Sequence, residues 1–218
     1  MPGTERDENI AVYDFRRPES FDRQQLRVLV TPAETLARAM GQELSSALRS
    51  RVLVHAAPLT QMAASALSDH LPAPAACTQF VMTALPGRGL MHFPVSFAYA
   101  ILDLCLGGDA RGPFPDRPLT EIERGLLAEL IAPVLRCLHE ALDVTGEMTV
   151  HPPGPAGDIP EMGTPGEGFV LAEMSVEIHG LSFSHTVEGL MTVAMPMTML
   201  RPVVDQRMAE RNASSLLT

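Results

Sequence analysis

The side chains able to do chemistry are few, and their spacing does not combine them. Every basic residue is Arg and none is Lys, which excludes a Schiff-base lysine and the lysine of a phosphate-binding loop. His55, His70, His92, His139, His151, His179 and His185 are scattered, and no pair has an HExxH-like arrangement, so no metal site is expected. Cys77, Cys105 and Cys137 are odd in number and lack CxxC or ligand spacing; they read as reduced, buried thiols. The only asparagines are Asn9 and Asn212. The reading is of a chain with no catalytic residue and no cofactor. Met191, Met195, Met197 and Met199 read as adaptable core filling.

One stretch stands apart, LCLGGDARGPFPDRPLTEIE, residues 104 to 123. An anion cradle needs glycines that open a helix so that free N–H groups face the ligand, whereas Gly107 and Gly108 close an apolar run and Asp109 would repel phosphate. A helix end by itself accounts for Gly107, because glycine accepts the left-handed backbone there. It does not account for the exposed, proline-stiffened loop that follows, in which Pro113, Pro115 and Pro118 restrict the chain before any binding event.

The elements that hold this loop follow from composition and pattern. With 218 residues, 46% hydrophobic, the chain can bury a core. No apolar stretch reaches the length of a membrane span, and MPGTERDENIAVYDF lacks a signal-peptide core, so a cytoplasmic protein without membrane insertion is expected. The formal net charge of −10 argues against nucleic acid or anionic lipid as partners. The charge is uneven: residues 1–119 carry a net −1 and residues 120–218 a net −9.

From Thr31, residues Ala33, Leu36, Ala37, Met40, Leu44, Ala47 and Leu48 form a helical stripe. A strand over 51–57, an Ala-rich helix over Met62–Leu71, a strand over 77–85, a turn at Gly87 and Gly89, a strand over 90–93 and a helix from Pro94 to Gly107 complete the first half. In the second, Thr120 with Glu123 is a capping box. It opens a helix with Ile122, Leu126, Leu130, Val134, Leu138 and Leu142 on one face, which Pro133 is expected to kink. A strand over 148–151, a flexible Pro- and Gly-rich loop over 152–168 and an alternating strand from Phe169 follow. GLM at Gly89–Met91 recurs at Gly189–Met191, and ALRSRVLVH (47–55) answers ALDVTGEMTVH (141–151). The expectation is a duplicated unit: one α+β domain with a pseudo-two-fold axis and a central, mainly antiparallel six-stranded sheet flanked by long helices.

YDFRRPE (Tyr13–Glu19), the helix opening with QQLR, ILDLCLGG (Ile101–Gly108) followed by LTEIE (Leu119–Glu123), and the closing GLMTVAMPMTMLRPV resemble the middle domain of the flagellar motor switch family FliM. The resemblance covers roughly residues 12–206 and implies the duplicated fold of the CheC, CheX and FliY phosphatases. The domain reading is a flexible segment at 1–12, the FliM-like domain at 13–206 in repeats of about 20–108 and 119–206, and a tail at 207–218.

The resemblance also implies a non-catalytic role in the cytoplasmic switch ring at the flagellar basal body. FliG and neighbouring FliM subunits are the implied partners, the latter through the exposed faces of residues 33–50 and 121–142. In the family the loop after the third helix reads GGPG or a close variant and forms part of the FliG surface. Gly107, Gly108, Asp109, Ala110 and Arg111 carry over by position as protein-binding residues, with Ala110 departing from the glycine pattern. The alternative is a regulatory domain that binds phosphorylated CheY, with or without phosphatase activity. The phosphatase relatives place Glu and Asn one helical turn apart, whereas Glu129 is followed by Ala132, which takes away the amide that the chemistry needs. The acidic, leucine-bearing CheY-binding peptide of the family has no match in residues 1–15, and a FliN-like domain is not expected within the 218 residues.

Overall fold

Asp22 opens the first helix. Its carboxylate accepts the Gln24 and Gln25 N–H groups at 2.7 and 2.9 Å while the Gln25 side chain accepts the Asp22 N–H at 3.0 Å, a reciprocal cap that satisfies otherwise free donors. The computed structural model describes residues 20–151, 160–164, 166–180 and 184–215. Helix α1 (Arg23–Leu48) leads into β1 (Ser50–Ala56), β2 (Thr60–Ala63), a 3₁₀ turn (Ala64–Ala66), the single turn α2 (Leu67–His70) and the hairpin β3 (Ala75–Met82) and β4 (Gly89–Pro94). After α3 (Val95–Cys105) come α4 (Glu121–Leu142), β5 (Met148–His151), the hairpin β6 (Gly168–Gly180) and β7 (Thr186–Pro196), and α5 (Met197–Ser215). The motif YDFRRPE, the segment 1–12 and most of the proline-rich loop, 152–159 and 165, lie outside the described residues.

The strands run in the order β1-β6-β7-β4-β3-β5, all neighbours antiparallel, with β2 pairing the first part of β6. Exchanging the halves, β1 with β5, β3 with β6 and β4 with β7, returns the same order reversed, so the duplication is a property of the fold. The axis passes through the β4–β7 pair, where His92 faces Thr192, one hundred residues on. The halves interlock, because each half's first strand pairs with the other half's hairpin: β1 with β6 and β5 with β3.

Seven strands form rather than six. The Ala-rich segment read as a helix over Met62–Leu71 begins as β2, and only Leu67–His70 is α-helical. The reason is tertiary: β6 has 13 residues and extends beyond β1, and Thr60–Ala63 supplies the ladder for Phe169–Leu171 and Gly168, which outweighs local helix propensity.

α1, α3, α4 and α5 cover one sheet face. Met40, Leu44, Ile101, Leu127, Ile131, Leu138, Met191 and Met199 are buried in the resulting core, so the methionines fill the interior as expected. On the other face, Leu67 and Leu71 of the β2–α2 cover seal a smaller cluster with Cys77, Leu90, Phe169, Leu171 and Ala194. Of the α1 stripe, Ala47 is exposed and Leu29 and Pro32 are buried instead.

The α4 face needs a larger correction. Ile122 and Leu126 are 77% and 44% exposed, and Leu127, Ile131 and Leu135 carry the first half of the contact. A row spaced strictly by four drifts about 40° per step on a helix of 3.6 residues per turn, so Ile122 and Leu142 cannot share a face. Pro133 lies inside α4 without ending it. The last helix runs on to Ser215, through most of the segment read as a tail. Cys105, expected to be buried, is exposed.

Candidate functional site

The segment between α3 and α4 is built around Asp103, a residue that the sequence reading passed over. α3 ends at Cys105, and Gly107 turns the chain at φ +90°, a conformation that glycine adopts without strain. The Gly108 N–H donates to the Asp103 carbonyl at 2.8 Å, and the Asp103 carboxylate accepts the Ala110 N–H at 2.8 Å. A Cβ on Gly108 would overlap that carboxylate. Ala110 has φ +54° and is buried, so the departure from the glycine pattern keeps the left-handed backbone of the loop at some cost. Beyond these anchors Asp109 and Arg111 form an ion pair at 3.1 Å with side chains 47% and 65% exposed, a pair worth little to stability. The Gly112–Pro113 peptide is cis.

The far end is fixed independently. The Arg117 guanidinium donates two hydrogen bonds to the Glu123 carboxylate, at 2.9 and 3.0 Å, and one to the Pro118 carbonyl at 3.0 Å. It lies over the Tyr99 ring of α3 at 5.3 Å, and the Tyr99 hydroxyl donates to Glu123 at 3.2 Å. Glu123 also accepts the Thr120 N–H at the α4 cap. Arg117 holds the Glu123 carboxyl down at about 2. Leu119 is buried. Two exposed apolar side chains stand beside the ends of the loop, Leu106 at 73% and Ile122 at 77%.

The structure therefore brings Gly107, Gly108, Asp109, Ala110 and Arg111 together as one turn, of which Asp109 and Arg111 face solvent and Ala110 faces the core. Asp103, Arg117 and Tyr99 are the supports that sequence reasoning missed. The available signal for Asp103 was an acid one turn before a glycine pair, placed to take N–H groups released at a helix end. Among the described residues no three His, Cys, Asp or Glu side chains could hold a metal ion. Glu129 of α4 has a non-amide residue one turn on, Ala132. Among the described residues no helix is long and apolar enough to cross a membrane.

Residues 22–212 match the family model described as flagellar motor switch protein FliM. The chain belongs to the FliM family. The FliM of Borreliella burgdorferi is 29% identical over 211 residues, 93% of this chain and 57% of the relative. That of Treponema pallidum is 27% identical over 204 residues, 90% and 56% of the two chains. The chain thus spans a little more than half the length of these FliM relatives. Among solved structures, the FliG–FliM complex from H. pylori contains a chain with TM-score 0.74 and 22% identity, covering 85% of this chain and 100% of that one. Thermotoga maritima FliY superposes with TM-score 0.73 at 13% identity, over 88% of this chain and 99% of that one. The FliM middle domain from H. pylori gives TM-score 0.71 at 21% identity, over 85% and 99%. The fold is that of the FliM middle domain and the CheC-like proteins.

Proposed function

We propose that the chain is a non-catalytic structural subunit of the flagellar motor switch, which binds FliG through the turn Gly107–Arg111 and couples signalling to the direction of rotation. The carrying observation is the construction of that turn. Asp103 and glycine geometry fix one end, Arg117, Glu123 and Tyr99 fix the other, and the ion pair displayed between them has little to do for stability. A loop ordered before binding loses less entropy on docking, and Leu106 and Ile122 beside it supply apolar area that water otherwise covers. A FliM chain from H. pylori has been crystallised with FliG, which supports the choice of partner. Ala132, where the phosphatase relatives place an amide, supports a binding role over hydrolysis of a phosphorylated regulator.

Neighbouring FliM copies contact each other through opposite ends of the domain. β1 and β5 are the two edges of the sheet, α1 packs beside β1 and α4 beside β5. A heterologous contact of one flank with the other repeats into a ring. The assembly sits on the cytoplasmic side of the membrane at the basal body.

Calorimetric titration of FliG into the Asp109→Arg variant tests the docking surface. Affinity is expected to fall at least tenfold, about 1.4 kcal/mol, with the melting temperature unchanged, because Asp109 supports no buried contact. Unaltered affinity overturns the assignment.

A further inference from the structure

A groove opens where α1, α3 and α4 meet, on the outward side of the helical layer. It holds about 380 Å³ and has apolar walls that include Leu102 and Cys105 of α3 and Leu126, Leu130 and Pro133 of α4. Two carboxylates stand at its mouth, Glu43 from α1 and Glu129 from α4, and no Arg or His lines it. Both glutamates are exposed, and neither has an ion pair or hydrogen bond among the described residues. Leu126 is 44% exposed at the same mouth, so the helical phase that removes Leu126 from the core places it here.

The chemistry of an occupant follows. Every lining residue belongs to a helix or its end, so no strand edge is available to pair with an extended backbone. The occupant must satisfy its own peptide groups, as a helix does, and contact the groove by side chains alone. Paired carboxylates without a cation call for Arg or Lys on that helix. A second copy of this chain, at net charge −10, brings mostly like charge, and an anionic membrane or nucleic acid is repelled for the same reason.

We propose that this groove receives a basic amphipathic helix of a partner protein. Its apolar residues enter between α3 and α4, and its Arg or Lys side chains pair with Glu43 and Glu129. Asp109 and Arg111 do not line the groove, which has Leu106 in common with the apolar margin of the FliG turn; the assignment does not rest on that of the turn.

The test uses a synthetic helical peptide of about 20 residues with leucines at i, i+4 and i+7 and flanking arginines, and a counterpart with glutamates in place of the arginines. Each is titrated by calorimetry into the chain and into the Glu43→Gln/Glu129→Gln double variant. The cationic peptide is expected to bind and the anionic one not. Added salt and the double variant should each weaken the cationic complex, the variant by about tenfold. Leu126→Asp, a change at an exposed position that leaves folding intact, should abolish it. The Asp109→Arg variant should bind the peptide normally, so that failure of the FliG turn and failure of the groove are read separately. Equal binding of the two peptides, no binding of the cationic one, or indifference to the glutamate changes overturns the proposal. A change in sedimentation of the free chain on Leu126→Asp also overturns it, by giving the groove to a second copy.

Discussion

Gly108 and Ala110 are two small residues of the same turn with opposite constraints. At Gly108 any Cβ meets the Asp103 carboxylate, which is itself held by the Ala110 N–H. Gly108→Ala therefore breaks the turn from inside and is expected to cost about 1–3 kcal/mol in urea unfolding. At Ala110 the left-handed backbone costs about 1–2 kcal/mol, and a glycine would remove that strain while giving up a buried methyl worth about 0.8 kcal/mol and adding chain entropy. Ala110→Gly should thus fall within about 1 kcal/mol of the parent. His92 supplies a second residue-scale test. It is fully buried on the pseudo-two-fold axis, donates its Nε2–H to the Pro72 carbonyl at 2.8 Å and leaves Nδ1 without a partner. Burial lowers its pKa below the ordinary 6.5. An imidazole of this kind takes up its proton mainly on unfolding, so its contribution to stability is complete above about 6.5 and declines as pH falls below it. Chemical denaturation between pH 7 and 5 should show stability rising with pH, and His92→Gln should flatten that slope. The Glu123 contribution is separable, because its carboxyl is held at about 2 instead of 4.5 and the stability it adds is lost only as pH falls from 4.5 toward 2.

At the scale of the element, α4 shows how far a spacing rule reaches. Leu127, Ile131, Val134, Leu138 and Leu142 are buried while Ile122 and Leu126 face water. Leu127→Ala is expected to cost about 2–5 kcal/mol. Ile122→Ser should stay within about 0.5 kcal/mol of the parent, since the side chain leaves no cavity. Equal losses at the two positions in urea titrations would restore the face read from the four-residue row. The cap of α4 was easier to anticipate, because a capping box needs only residues within one turn of each other; Thr120 with Glu123 forms as read, and the structure adds the same box at α1 with Asp22 and Gln25.

The whole molecule is two repeats that cannot be separated. β1 has its ladder on β6 and β5 has its ladder on β3, so a chain of residues 20–112 retains β3 and β4 but leaves β1 without a partner and α1 without α4. That fragment is expected to lack a cooperative thermal transition by circular dichroism, whereas co-expression with residues 113–215 should restore one. A cooperatively folded 20–112 fragment would show that the repeat is an autonomous unit. The interlocking also sets the work of the sheet: it carries the α3–α4 turn and the α1–α3–α4 groove on one side of a single core.

The sequence by itself determined the local and repeated features. GLM at 89 and 189, the capping box of α4, the glycine stop at Gly107 and the alternation of β6 each depend on residues close along the chain, and each appears in the structure. The exposed turn was legible for the same reason, since prolines and glycines act on their own backbone. Tertiary structure decided the rest. Thr60–Ala63 became a strand because β6 needed a partner. Ala47, Ile122 and Leu126 faced outward because helical phase is fixed only once a neighbouring surface is in place. Asp103 acquired its role when the chain after Gly107 folded back on it, and Glu43 came to share a groove with Glu129, 86 positions later in the sequence. Contacts between distant residues carry no local pattern in one sequence, and packing is what brings them together.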